Sequence, residues 1–303
     1  MVGRRDDWGD CVTAVLIYLA IVVTTVIQST ATKLFSRGCK HSLAFNALKG
    51  AASFLLFLVI SLPNFTFHLP TVMYGVGFGL VIAVSMYSGF KALGMGPMGL
   101  STLLISFSVI IPMIYGLTAG NETLGVLQIV AMALLVVSIL LSNYDKLRVK
   151  KSPDPEPKKK SNYGRWLFFV FATFASNGFS SVLQKSHQEA FPGMYNCEFN
   201  FFGMTVCALI FVTLALIKVP KEEWRATKGK GYGVLAGLSN STANLLTLNL
   251  AGFENAVVLF PIISVGTILG AVICGWVVFK EKLKLNHYLS LLTGIAAVIL
   301  LKV

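Results

Sequence analysis

The chain has 303 residues, with 25 Lys and Arg against 13 Asp and Glu, for a formal net charge of +12. Apolar residues make up 55% and charged residues 13%, against about 25% charged in an ordinary globular domain. That balance excludes two soluble domains, intrinsic disorder, a collagen-like repeat and a disulfide scaffold, and leaves a polytopic membrane protein.

The start, MVGRRDDWGD, is charged and short, and a long uncharged run follows it. A cleavable signal has a shorter apolar core and a small-residue cleavage site, so the first run is read as a retained transmembrane helix. A membrane span needs about 20 mostly apolar residues. Ten such runs follow one another, at 12–32, 42–62, 69–90, 97–119, 123–144, 166–184, 199–217, 231–253, 255–279 and 285–301. In lipid the backbone must satisfy itself, so these runs predict helices; barrel strands would be shorter and would alternate.

Along the first run Thr24, Gln28 and Thr32 recur every fourth residue, with Thr25 and Ser29 alongside. The second run holds Asn46 and Lys49, and Lys49 is its only charged residue; the other nine runs hold none. The third holds Tyr87, and Gly94 and Gly96 after it mark a tight turn. No Lys-Ser/Thr pair follows those glycines, so they are not a phosphate loop. Pro112 interrupts the fourth run and Pro261 the ninth. Residues 143–164, rich in Lys and Pro, form a solvated linker after the fifth run. In the sixth run Asn177, Ser181 and Gln184 share a face, as do Asn240, Asn244 and Thr247 in the eighth.

The linker divides the runs five plus five, and the halves resemble each other. Thr25, Ser29, Thr32 and Lys33 have the same spacing as Asn177, Ser181, Gln184 and Lys185. Phe45-Asn46 corresponds to Phe199-Asn200, and Asn121-Glu122-Thr123-Leu124 to Lys280-Glu281-Lys282-Leu283. Because five is odd, the second copy must enter the membrane from the opposite side. The fold expected is therefore all-α: ten transmembrane helices as two inverted five-helix repeats. The first repeat is 1–142, the linker 143–164 and the second repeat 165–303. Inverted repeats are a common build for secondary transporters.

This layout resembles the EamA-like ten-helix members of the drug/metabolite transporter superfamily. The resemblance is carried by the five-plus-five order, by Phe279-Lys280-Glu281-Lys282-Leu283 with Gly294 in the last helix, and by Ala92-Leu93-Gly94-Met95-Gly96-Pro97. In the first half Thr123 stands where the family pattern has a basic residue. The resemblance implies export or exchange of metabolites; fold analogy does not choose the cargo.

Twenty of the 25 Lys and Arg lie in the loops 1–2, 3–4, 5–6, 7–8 and 9–10. The positive-inside rule then puts the linker in the cytoplasm and both termini outside. Similar transporters are usually drawn with both termini in the cytoplasm. The charge count belongs to this sequence and predicts that a Glu156→Cys variant resists an impermeant thiol reagent in intact cells. Labelling there would overturn this orientation.

All 13 acidic residues lie in loops or at span ends. A proton-coupled exporter of organic cations needs a carboxylate within the membrane, and the small multidrug exporters that resemble half of this fold carry a Glu in their first helix. Here that helix offers Thr and Gln, and Glu198 and Glu254 near span ends are the closest substitutes. Lys49 lies roughly 10 Å deep at 1.5 Å per residue. Either it faces a cavity and attracts a carboxylate or phosphate, or it snorkels to the side where Lys40 sits. A partner such as Tyr87 or Asn46 would favour the cavity. Amides are costlier than hydroxyls to leave unpaired in lipid. The substrate-binding set expected is therefore Gln28, Asn46, Lys49, Tyr87, Asn177, Gln184, Asn240 and Asn244.

The function expected is secondary active transport of a small polar metabolite, anionic or zwitterionic, by alternating access. The alternatives are a multidrug or organic-cation exporter of the same fold and an intramembrane enzyme. An enzyme needs a nucleophile–base pair or clustered Asp and His at one depth, and the runs show none. The four His are scattered at run boundaries and the five Cys make no CxxC pair, so no metal and no cofactor is expected. The expected partners are a small-molecule substrate, the lipid bilayer, and a proton or counter-substrate; nucleic acid is excluded because no aromatic-interleaved basic domain exists to hold it. Short loops suit a bacterial cytoplasmic membrane.

Overall fold

Long uncharged runs can satisfy their backbone in an apolar medium only by closing hydrogen bonds within themselves, and they do so as helices. The computed structural model describes residues 7–38, 42–95, 101, 104–120, 122, 125–147, 163–221, 229–278, 280 and 285–302. These contain ten α-helices and no strand. In chain order they are α1 (Asp7–Gly38), α2 (Ser42–Ser61), α3 (Leu69–Met95), α4 (Ile110–Thr118), α5 (Val126–Leu147), α6 (Tyr163–Ala190), α7 (Asn196–Lys218), α8 (Lys230–Ala251), α9 (Ala256–Val277) and α10 (Leu285–Lys302). Each of the ten runs read from the sequence overlaps one of them. Gly96, Pro97, Asn121, Thr123, Leu124, Phe279, Glu281, Lys282 and Leu283 lie outside the described residues, as do most of the linker and Lys40.

The helices are not uniform. Six of them, α1, α2, α3, α6, α7 and α9, contain segments long and apolar enough to cross a membrane. In α4, α5 and α10 the apolar stretches are shorter: Leu104–Thr118, Val126–Leu141 and Tyr288–Leu301. The 22 residues of α8 would span, but their centre reads SNSTAN and is too polar to count on hydropathy. The fourth run is interrupted, as Pro112 predicts. A 3-10 turn over Phe107–Val109 precedes α4. Pro112 has no N–H to offer Ser108, four residues back, and the tighter turn falls on that residue.

The most extensive helix contacts are α2 with α7, α3 with α6, α1 with α8 and α5 with α10. Next come α3 with α7 and α2 with α8. Replacing each helix by the one five places along the chain turns α1–α8 into α6–α3, and α2–α8 into α7–α3. The pairs α2–α7 and α5–α10 map onto themselves. In the last of these, Ser138 Oγ donates to the Ser290 carbonyl at 2.8 Å and Ser290 Oγ donates to the Ser138 carbonyl at 2.9 Å. Glycine permits the closest approaches. A Cβ at Gly79 of α3 would strike the backbone carbonyl of Gly203 in α7, and one at Gly237 of α8 would strike the carbonyl of Lys49 in α2.

Phe57, Phe78, Phe199, Met204 and Leu248 pack as one core cluster between α2, α3, α7 and α8. A larger one joins α5, α9 and α10 through Leu135, Ile139, Leu259, Val265 and Leu301. Outward, Leu16, Val59, Met73, Phe168, Leu216 and Leu292 are each more than half exposed. An apolar surface this continuous suits lipid contact.

Candidate functional site

Polar residues three or four apart on a helix meet on one side. Four helices turn such stripes towards a common point, where a cavity of about 330 Å³ opens. α1 supplies Ile21, Thr25 and Gln28, and α6 supplies Asn177, Ser180, Ser181 and Gln184. From α8 come Asn240, Ala243, Asn244 and Thr247, and from α9 Phe260, Ile263 and Ser264. Ser108 and Val109 of the 3-10 turn complete the wall. No lining residue is charged. Both prolines lie close by: Phe260 precedes Pro261, and Ser108 and Val109 lie within one turn of Pro112.

Five of the eight residues expected to bind substrate line this cavity: Gln28, Asn177, Gln184, Asn240 and Asn244. Asn46, Lys49 and Tyr87 are not among its lining residues. Asn46 and Lys49 are buried in α2, whose neighbours are α7 and α8. The Lys49 backbone lies where Gly237 brings α2 and α8 together. Tyr87 is 42% exposed, with Lys91 Nζ 5.8 Å from its ring centroid and Phe169 against its edge. It belongs to the outer surface and partners neither Lys49 nor Asn46.

The lining residues not expected were Ile21, Ser108, Val109, Ser180, Ala243, Phe260, Ile263 and Ser264. Ser180 sits three residues from Asn177, and the stripe could have included it. Phe260 and Ser264 carry no sequence signal beyond the neighbouring proline.

Hydrogen bonds decide what the lining offers. Asn177 Oδ1 accepts from Ser85 Oγ of α3, so its amide nitrogen is the group left over. Gln184 Nε2 and Asn240 Nδ2 are buried and have no hydrogen-bond partner. The hydroxyls are oriented the other way. Thr25 donates to the Ile21 carbonyl at 2.5 Å, Ser180 to the Asn177 carbonyl at 2.7 Å and Ser181 to the same carbonyl at 3.3 Å. Their protons are used within the helices, and their lone pairs remain.

One residue beyond Gln184 stands a buried ion cluster. Lys185 Nζ donates to the carbonyls of Glu254 at 2.8 Å and Ala251 at 3.3 Å, and stands 3.6 Å from Glu122 Oε1. Glu122 accepts from the backbone N–H of Ala256 at 2.7 Å and of Val257 at 3.0 Å. Thus Lys185 meets the negative end of α8 while Glu122 meets the positive end of α9. The sequence places Glu122 at the start of its own helix; tertiary packing makes it the cap of α9, in the other half. Glu189 is 4.0 Å from Lys185 and accepts from Tyr115 Oη at 2.6 Å.

A second polar chain crosses the same helix ends. Thr71 Oγ1 lies 2.9 Å from His68 Nδ1 and 3.2 Å from His187 Nε2, and Gln188 Nε2 lies 3.1 Å from His187 Nδ1. Gln188 donates on to Asn196, and Asn196 to Asn249. Glu198 is also engaged: its Oε1 accepts from Thr66 N at 3.2 Å and Thr66 Oγ1 at 3.0 Å. Among the described residues no group of His, Cys, Asp and Glu could hold a metal ion.

Residues 164–303 match the model of the EamA-like transporter family. A solved structure described only as the crystal structure of a protein superposes with a TM-score of 0.72, covering 96% of this chain and 98% of that one. At 13% identity that likeness shows the fold alone. No curated protein matches the chain.

Proposed function

From the EamA-like transporter family domain carried by residues 164–303, we propose that the whole chain is a secondary active transporter whose central cavity holds a small polar metabolite. The observation that carries the reading is the convergence of amides from both halves of the chain on one space. Gln28 comes from the first half, and Asn177, Gln184, Asn240 and Asn244 from the second. Residues 1–142 and 165–303 act as two inverted five-helix repeats joined by the linker 143–164. The helix pairings that exchange between halves, and the reciprocal Ser138–Ser290 bonds, support such a two-fold relation. The mechanism is alternating access. The Glu122–Lys185 cluster is the seal at one end, and movement of α8 and α9 against α4 and α6 opens it. Because the seal is a charge pair, opening exposes it to water and does not strand it in lipid. Ten membrane helices in a bacterial cytoplasmic membrane, driven by a proton or a counter-substrate, complete the reading.

The organic-cation alternative finds little support. No carboxylate lines the cavity, Glu198 is bonded to Thr66, and Glu122 caps α9.

The test is uptake into proteoliposomes of a labelled panel of nucleosides, amino acids, organic acids and sugar phosphates. Asn244→Leu should lower uptake of whichever solute is carried by tenfold or more without changing the melting temperature. Unchanged uptake in Asn244→Leu and Gln28→Leu alike would remove the cavity from the transport path.

A further inference from the structure

Resting on the transporter reading above, we propose that this cavity takes an uncharged planar heterocycle, a nucleobase or nucleoside, and rejects its phosphorylated form. The lining has no charged side chain, and Lys185, next in the chain to the lining Gln184, is already committed. Lys185 holds the carbonyls of Glu254 and Ala251 and faces Glu122. A lone ion in this space would meet no countercharge from the lining. The sequence-based preference for an anionic or zwitterionic cargo rested on Lys49 and on the lack of acids within the runs, and Lys49 is not among the lining residues.

The lining does offer both halves of a hydrogen-bond pattern. Gln184 Nε2 and Asn240 Nδ2 are orphaned donors, and Gln184 is only 4% exposed. A buried donor without a partner is destabilising, and a ligand carbonyl or ring nitrogen would relieve it. Asn177 adds a third donor, because Ser85 occupies its oxygen. Thr25, Ser180 and Ser181 have spent their protons on the backbone and accept. One solute must therefore present acceptors and donors side by side, as the edge of a heterocyclic base does. Amide side chains pair with base edges in this way, and enclosed bases stack on apolar or aromatic faces. Here Phe260 with Ile21, Ile263 and Val109 supplies the apolar wall. At about 330 Å³ the cavity is at the small end for ligand sites, which span about 300–1,000 Å³. A base with one sugar suits it better than a dinucleotide.

The experiment measures the melting temperature of the purified full chain in detergent with uridine, adenosine, uracil, UMP, succinate, glutamine and choline. Uridine or adenosine should raise it in a saturable way, and UMP should need at least tenfold more ligand for the same shift. Gln184→Leu and Asn240→Leu should each weaken the nucleoside tenfold or more, while Gly164→Ala leaves it unchanged. Stabilisation by UMP or succinate equal to that by uridine overturns the proposal, as does no response to any nucleoside or base. Proteoliposome flux separates the two readings. Flux of some other solute that Asn244→Leu blocks keeps the transporter and sinks the nucleoside; nucleoside binding without flux does the reverse.

Discussion

Replacing Lys185 by Met destabilises the folded protein by about 3–5 kcal/mol, the range for removing one member of a buried ion pair. The Lys185 and Glu122 side chains are 9% and 6% exposed, so solvent can replace little of what is lost. Four interactions go together: the pairs with Glu122 and Glu189, the bond to the Glu254 carbonyl and the bond to the Ala251 carbonyl. Glu122 keeps its two backbone donors from α9 but loses its countercharge. A double variant, Lys185→Met with Glu122→Gln, recovers part of the loss, because the glutamine carbonyl can still accept one N–H and no buried charge remains. Thermal and denaturant unfolding in detergent reads both. Equal stability of Lys185→Met and the unmodified protein would show that the cluster is exposed to water in solution.

Gly79→Ala costs about 1–3 kcal/mol, at the upper end of that range, although one methyl group normally favours a helix over glycine by about 1 kcal/mol. The added Cβ meets the backbone carbonyl of Gly203 and not the end of a flexible side chain. To make room, α3 and α7 must separate along an interface that also holds Gly75 against Phe199 and Phe78 against Phe199. Gly164→Ala is the control. It is also helical, and a Cβ there meets nothing within 4 Å. If the two variants melt at the same temperature, the close α3–α7 approach does not exist in the folded protein.

Much of the architecture was legible because membrane helices announce themselves. Charge must leave the apolar interior, so uncharged runs of span length mark helices almost one for one, and α1, α2, α3, α6, α7 and α9 meet hydropathy and length together. Even α8, too polar to satisfy hydropathy, was visible through its lack of charge. The same SNSTAN stretch that lowers its hydropathy carries Asn240 and Asn244 to the cavity. The amide stripes were legible for a related reason: periodicity on one helix shows which residues share a side, and desolvation explains why a membrane helix would keep amides there.

Periodicity cannot say which sides of different helices face one another. Lys49 was the natural anchor for a cavity because it is the one charge inside a run, yet it is buried in α2 where Gly237 packs α8 against its backbone, and it is not among the residues that line the cavity. Tyr87 has a suitable position along α3 but the wrong azimuth, and it ends on the outer surface. Glu122 has the local signature of a cap, but its partners are Ala256 and Val257, more than a hundred residues away. Helix identity, number and polarity follow from local composition, because each residue's transfer energy between water and lipid depends on itself alone. The choice of neighbours is a many-body packing problem, settled by where glycine removes a Cβ and by which buried donors find acceptors. Only the folded chain could decide that Gln28 and Asn240 line one cavity and Lys49 does not.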